Sequence, residues 1–305
     1  LKDVSRLAGV PTATVSRFIN DSGRLSDDTA QRVRAAIATL GFRPNAIGRS
    51  LKTTRSKALG IVIPSLSNPV FAEAVAGISR EARAQGYSLM VTATDYCVDE
   101  ELQVVNTLLD HQVDGLILTV SNPDSSAALD VLDREGVPYM LIYNQPTDQQ
   151  RATVTIDNVR AGWDVACQLC DLGHQRFAML TGALQSSDRA EARRLGFTAG
   201  VEACGFAPPV VHEVDFSALD AREAIDTLFR PSTPGPTALF CSNDVLAIAA
   251  IGALRERGIA VPDAVSVVGF DGIGVGALIH PQLTTVVQPS GDMGTMAARA
   301  VLGRY

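Results

Sequence analysis

The chain has 305 residues, 46% hydrophobic and 19% charged, a composition that belongs to globular protein and excludes a disordered one. It is long enough for more than one domain, and no run of about 18 uncharged apolar residues is present to span a membrane. The net charge of −7 conceals a division, because residues 1–57 carry 11 Lys and Arg against 4 Asp and Glu, and the remainder carries 15 against 29. Such asymmetry reads as a small polyanion-binding head on an acidic body, with a solvated basic face as the plain alternative.

The opening stretch LKDVSRLAGV places charges at Lys2, Asp3 and Arg6 and holds no apolar run, so it is not read as a secretory leader. Instead the head predicts three short helices. Val4, Leu7 and Ala8 fall on one helical stripe, Val15, Phe18 and Ile19 on a second, and Val33, Ile37 and Leu40 on a third. Gly9 closes the first, and the second is running three residues later, which is helix-turn-helix spacing. Ser26 caps the third, with Asp27 and Asp28 in its first turn where the helix dipole favours acids, and Gly41 stops it. With Val15, Phe18 and Ile19 turned inward, the second helix turns Thr12, Ala13, Ser16 and Arg17 outward. Small side chains let a backbone come close to base edges, and an arginine can pair with guanine in two hydrogen bonds.

Residues 43–60, RPNAIGRSLKTTRSKALG, follow. Asn45 to Lys52 spans two helical turns, too short to stand alone and weakened by Gly48. The segment reads as a linker that becomes helical only against a partner. Leu51, among Arg49, Lys52 and Arg55, is either an exposed leucine on a tether or a wedge for the minor groove.

From Ala58 the pattern alternates between apolar runs and helical segments. The runs fall at 58–64, 87–93, 114–120 and 138–144, then at 176–182, 209–214, 237–242 and 265–270. Continuous apolar strands between helices imply parallel sheets covered on both faces. Two sets dividing near Asp157 imply an α/β core of two doubly wound lobes, with a ligand cleft at the carboxyl ends of the strands. The five cysteines are read as reduced thiols of a cytosolic protein. Cys167 and Cys170, with His174 nearby, have no second Cys/His pair to complete a zinc site and read as small hydrophobes in a helix that ends at Gly173.

The motifs KDVSRLAGV, TATVSRFIN, GFRPNAIGRSLK, VDGLIL, GHQRFAML, RRLGF, SNDVLAIAA, VSVVGFDG and HPQLTTV occur in this order along the chain. Together they resemble the lactose-repressor/galactose-repressor (LacI-type) family of bacterial transcription regulators over essentially the whole length. That resemblance implies a helix-turn-helix head at 1–43, a hinge helix at 44–57, and a core at 58–305 similar to periplasmic sugar-binding proteins. One lobe would take about 58–157 and 287–305, the other about 158–286. It implies a cytoplasmic homodimer on double-stranded, palindromic operator DNA, a small-molecule effector, and no cofactor, metal or membrane contact. Sugars, sugar acids and nucleobases all suit the residues, with a sugar-like molecule preferred.

Carried over by position, the recognition helix covers Thr12 to Asn20. Thr12, Ala13 and Arg17 match base-reading positions, and Thr14 and Ser16 match phosphate contacts. Leu51 matches the intercalating leucine of the hinge, with Asn45, Ala46, Arg49 and Lys52 around it on DNA. The effector positions fall on Phe71, Asn144, Asp157, Arg193, Phe216, Asn243 and Asp271. Each has a plain alternative: Phe216 as a core aromatic, Asp271 as a turn cap, Arg193 as a helix-surface ion pair, Asn243 as an N-cap. Pro11 stands where relatives often place a capping serine, and Asn144 lies near a position where they often hold aspartate. A transport-type binding protein without a DNA role is the first rival, opposed by the basic head. An enzyme is the second: GFDGIGVGA lacks the third glycine of a dinucleotide loop, and no nucleophile elbow, P-loop or H-E-x-x-H occurs.

Overall fold

A computed structural model of the chain describes residues 1–19, 25–42, 56–215, 220–230 and 234–303. Two compact units emerge, Leu1–Ser56 and Lys57–Tyr305.

In the first unit, α1 spans Lys2–Ala8, α2 Thr12–Ile19 and α3 Asp27–Leu40. Gly9 ends α1 at φ 63° and Gly41 ends α3 at φ 56°, a left-handed backbone that glycine adopts without a Cβ clash. Ser26 caps α3 by accepting the Thr29 N–H. Pro11, which has no hydroxyl to offer, lies just ahead of α2, and its carbonyl accepts the first amides, Thr14 N at 2.9 Å and Val15 N at 3.2 Å. Val4, Ala8, Val10, Val15, Val33 and Ala36 make the small core, with Phe18, Ile19 and Ile37 partly buried against it. Two expected core residues lie outside it, Leu7 at 54% and Leu40 at 45% exposure. A short helix meets two neighbours along a stripe only one or two residues wide. Val4 and Ala8 take it on α1, Val33 and Ala36 on α3, and Leu7 and Leu40 are left on the flanks.

The second unit alternates strands and helices: β1 Ala58–Ile63, α4 Pro69–Ala84, β2 Ser88–Ala93, α5 Val98–Asp110, β3 Gly115–Leu118, α6 Ala127–Glu135, β4 Tyr139–Ile142 and β5 Thr153–Val154. Then come α7 Asn158–Asp171, β6 Phe177–Gly182, α8 Asp188–Ala203, β7 Val210–Val214, α9 Arg222–Leu228, β8 Ala238–Cys241, α10 Asp244–Glu256, β9 Ser266–Asp271, β10 Thr284–Val287 and α11 Ser290–Val301. Two five-stranded sheets result, ordered β2-β1-β3-β4-β5 and β10-β9-β8-β6-β7. Every pairing is parallel. The eight apolar runs all form strands, and β5 and β10 join them at the sheet edges. The chain passes from the first sheet to the second once, between β5 and α7. It returns after β10, so that α11 buries Met293, Ala297 and Ala298 in the first lobe's core.

Helices α7 and α8 lie side by side with their backbones nearly touching. A Cβ placed on Gly196 would stand 1.9 Å from the Val159 carbonyl oxygen, and one on Gly162 would stand 2.3 Å from that of Arg193. The same crossing carries Gly200 against Ala166 and ends at the thiols, where Cys204 lies against both Cys167 and Cys170. The cysteines thus take packing positions at the end of a helix pair. His174 sits apart from them, its ring nitrogens 3.1 Å from the Thr237 and Ser266 hydroxyls. Among the described residues no helix is long and apolar enough to cross a membrane.

Replacing Gly196 by alanine forces α7 and α8 apart and is expected to destabilise the core by about 1–3 kcal/mol. Gly252→Ala, whose Cβ would meet nothing within 4 Å, is expected to match or slightly exceed the parent. Urea denaturation of the two variants checks the contrast; equal stabilities would refute the close-packing account.

Candidate functional site

Two places collect the candidate residues. On α2, Thr12, Ala13 and Arg17 are exposed and Thr14 and Ser16 half-exposed, while Val15 is fully buried. The helix therefore presents two small residues and one cation on its outer face, because its apolar stripe is pinned to α1 and α3. Asn20, Asn45, Ala46, Arg49, Leu51 and Lys52 lie outside the described residues, as does Phe216 among the effector candidates.

The second place is a narrow cavity in the core unit, at the carboxyl ends of strands from both sheets. Asn68 and Phe71 enter from the start of α4, Tyr143 from the end of β4, Arg193 from α8, Asn243 from the β8–α10 turn, and Asp271 from the end of β9. Arg193 is held at three points. Its Nε donates to Asn158 Oδ1 at 2.8 Å, its Nη1 to the Ser242 carbonyl at 2.6 Å, and its guanidinium lies 3.5 Å from the centre of the Phe270 ring. The Asp271 carboxylate stands 3.9 Å from it. Asp271 accepts from Gln288 Nε2 at 2.7 Å and from Asn68 Nδ2 at 3.5 Å, the latter reaching across from the first lobe. Behind it, Asp244 fixes the turn by accepting the Gly272 and Ile273 amides, both at 2.8 Å.

The aromatic side is built differently. Phe71 meets Tyr143 edge-to-face at 5.5 Å between ring centres, and the Tyr143 hydroxyl donates to the Val70 carbonyl at 3.0 Å. Three of the lining residues, Tyr96 (φ 60°), Tyr143 (φ 71°) and Asp271 (φ 123°), hold left-handed backbones that side chains disfavour. Such strain persists only where surrounding contacts over-determine it, and it gathers at ligand sites.

Burial governs the charges. It lifts the Asp271 carboxyl to about 6, with Arg193 opposing the shift, and lowers the Arg193 guanidinium to about 10. Desolvation thus outweighs the attraction between the two, as their 3.9 Å separation permits. Burial also raises both the Tyr96 and Tyr143 phenols, keeping them neutral at physiological pH.

The structure brings Phe71, Arg193, Asn243 and Asp271 together at this cavity. Asn243 serves twice, since its Oδ1 also caps α10 by accepting the Leu246 amide at 2.8 Å. Two expected effector residues stand elsewhere. Asp157 is exposed and caps α7 through the Arg160 amide at 2.8 Å; its neighbour Asn158 is the residue that reaches Arg193. Asn144 is fully buried outside the lining, its amide bonded to both backbone groups of Val120 and to Asp188 Oδ1 at 3.0 Å. Asn68, Tyr96, Tyr143, Arg189, Ser242 and Gln288 line the cavity and were not foreseen. One signal was present for Asn68: an asparagine just before Pro69 and just after the first apolar run is an N-cap at a strand's carboxyl end.

The family described as "Bacterial regulatory proteins, lacI family" matches residues 1–45, and "Periplasmic binding proteins and sugar binding domain of LacI family" matches residues 56–303. The chain is 33% identical to catabolite control protein A of Priestia megaterium over 99% of its own length and 91% of the relative's. It is also 33% identical to the HTH-type transcriptional repressor PurR of Aliivibrio fischeri, with 100% and 91% covered. Among solved structures, the lac repressor dimer bound to operator and the anti-inducer ONPF superposes with a TM-score of 0.86 at 28% identity, over 99% of this chain and 92% of that one.

A carboxyl raised in the folded state contributes stability that is complete below its unfolded value and is lost as pH rises through the folded one. For Asp271 that window runs from its ordinary 3.8 to about 6, worth on the order of 3 kcal/mol. Asp271→Asn is expected to flatten the fall in core stability between pH 4 and 7 by up to one proton's slope. Denaturation midpoints across that range measure it, and an unaltered slope would show that Asp271 is charged throughout.

Proposed function

The chain belongs to the LacI family of bacterial regulatory proteins, and from that premise we propose how its two candidate sites cooperate. The protein is a DNA-binding transcription regulator and not an enzyme. In this reading it acts in the cytoplasm as a homodimer on a palindromic operator, with residues 1–43 as the DNA-binding head, 44–57 as the hinge, and the cavity as the seat of a sugar-like effector.

One observation carries the effector half: the cavity takes side chains from both lobes at once. A molecule seated between Phe71 and Tyr143 on one side and Arg193, Asn243 and Asp271 on the other touches both sheets' carboxyl ends. Its binding energy therefore depends on how the lobes are set against each other, and by linkage it biases that setting. A change in lobe closure alters the spacing of the two hinges across the dimer, and Leu51 of each subunit enters the minor groove at one spacing only. Effector and DNA then alter each other's affinity by a common factor, typically about 5–150-fold.

The α2 face supports the DNA half. Arg17, exposed beside the small Thr12 and Ala13, is assigned a base-edge contact, while Thr14, Ser16 and Asn20 are assigned to the surrounding groove and backbone. Lys and Arg contacts to phosphates make the whole interaction steeply salt-dependent.

An operator selected from a random duplex library provides the test. Arg17→Ala is expected to weaken binding to it by about 1–3 kcal/mol at fixed salt, measured by fluorescence anisotropy, and to relax selectivity at one base pair. Leu51→Ala is expected to weaken operator binding while effector binding is preserved. Parent-like affinity in both variants would overturn the assignment of this face and hinge.

A further inference from the structure

Resting on the reading of the cavity as an effector site, a closer look at its cationic wall narrows the chemistry of what enters. Arg189 and Arg193 lie one helical turn apart on α8 and both line the cavity. The Arg189 side chain is 7% exposed. Among the described residues its guanidinium meets one acceptor, Asp188 Oδ1, at 3.4 Å from Nη1, longer than an ordinary N–H···O bond. That carboxylate is engaged elsewhere. Its Oδ1 takes Asn144 Nδ2 at 3.0 Å and the Arg189 amide at 2.8 Å, and its Oδ2 takes the Gln145 amide at 2.7 Å. Four of the five guanidinium N–H donors of Arg189 thus find no acceptor among the described residues. Its one ion pair, with a carboxylate already shared among three amide donors, leaves this shielded cation room for a further counter-charge.

Three further features lie around this wall. Arg193 Nη2 likewise has no acceptor among the described residues, its Nε and Nη1 being taken by Asn158 and Ser242. The Ser242 hydroxyl, also on the lining, is buried without a hydrogen-bond partner. Ser187, Arg189 and Ala190 place the amino-terminal turn of the 16-residue α8 against the cavity, so the positive end of its dipole points the same way. Among the described lining residues the one acid, Asp271, is bonded to Gln288 and Asn68 and stands 3.9 Å from Arg193.

We propose that the effector bears an anionic oxygen group, a carboxylate or a phosphate ester, seated by the Arg189 and Arg193 guanidinium groups with the Ser242 hydroxyl beside them. The rest of the ligand, hydroxyl-bearing in the reading above, then lies toward Phe71, Tyr143 and Asn243. A neutral sugar satisfies that second half of the cavity and leaves Arg189 with its single long contact to Asp188.

The test uses the full chain and four probes at matched ionic strength: inorganic phosphate, D-glucose 6-phosphate, D-gluconate and neutral D-glucose, read by thermal shift and calorimetry. Inorganic phosphate is expected to raise the melting temperature of the parent. Its affinity is expected to fall at least tenfold in Arg189→Gln and to be partly retained in Arg189→Lys; Arg189→Met, which keeps the apolar stem, replaces the glutamine variant if that one does not fold. A stronger shift with glucose 6-phosphate than with gluconate identifies a phosphate ester, and the reverse a carboxylate. No phosphate shift in the parent, an equal shift in Arg189→Gln, or D-glucose binding more tightly than both anionic sugars would overturn the proposal. Duplex binding by the additive-free parent, measured alongside, judges the regulator reading separately: its loss would sink that reading and leave the anion result standing.

Discussion

Arg193 sits at the meeting of the two lobes with its side chain 5% exposed, and a guanidinium so placed demands partners on every side. Those partners come from three separate places in the chain. Asn158 begins α7, Ser242 follows β8, Phe270 and Asp271 close β9, and Asp271 is itself steadied by Gln288 beyond β10 and Asn68 ahead of α4. Each partner stands at or just beyond a strand's end or at the start of a helix, where a parallel sheet leaves polar backbone and side chains to converge. The need to surround one charge therefore ties the registers of strands far apart in sequence. The left-handed backbone at Asp271, closed behind by Asp244, is one local consequence of meeting that demand.

Contacts between the lobes are of two kinds: Ile273, Val245 and Ile248 of the second lobe pack against the first lobe's apolar core, and polar pairs join the remainder. Asn68 reaches Asp271, and Asp188 at the head of α8 takes donors from Asn144 and Gln145 of the opposite lobe. The apolar contact resists opening, and the polar pairs do so less. Hydrogen bonds of about 1 kcal/mol each can be exchanged for ligand or water contacts instead. Asn144 belongs to this system. A residue expected to touch effector serves as a strut between Val120 and Asp188, one step removed from the cavity.

The architecture was largely legible because it rests on periodicity. Eight apolar runs became eight strands, and Gly9, Ser26 and Gly41 bounded the helices of the head, since these signals are local. What escaped was set by tertiary partners. β5 has two residues and β10 is a half-exposed edge strand, so neither has the apolar continuity of a buried strand. Leu7 and Leu40 carry the right spacing but lose the few inward places to Val4, Ala8, Val33 and Ala36. At the cavity, Phe71, Arg193, Asn243 and Asp271 came from motif resemblance, whereas nothing in the sequence marks Arg189 next to Asp188. Only its burial, and the prior engagement of Asp188 by the other lobe, sets it apart. The Asp157 and Asn158 pair shows the limit of position matching, where a shift of one residue divides a helix cap from the side chain that orients Arg193.

Among the described residues the polypeptide passes between the two sheets at two places, once ahead of α7 and once after β10. Any relative movement of the lobes must therefore bend the backbone at both passages. Inside each lobe the glycine-backed seams, α7 on α8 and α4 on α11, allow almost no give, because carbonyl oxygens already stand where methyl groups would go.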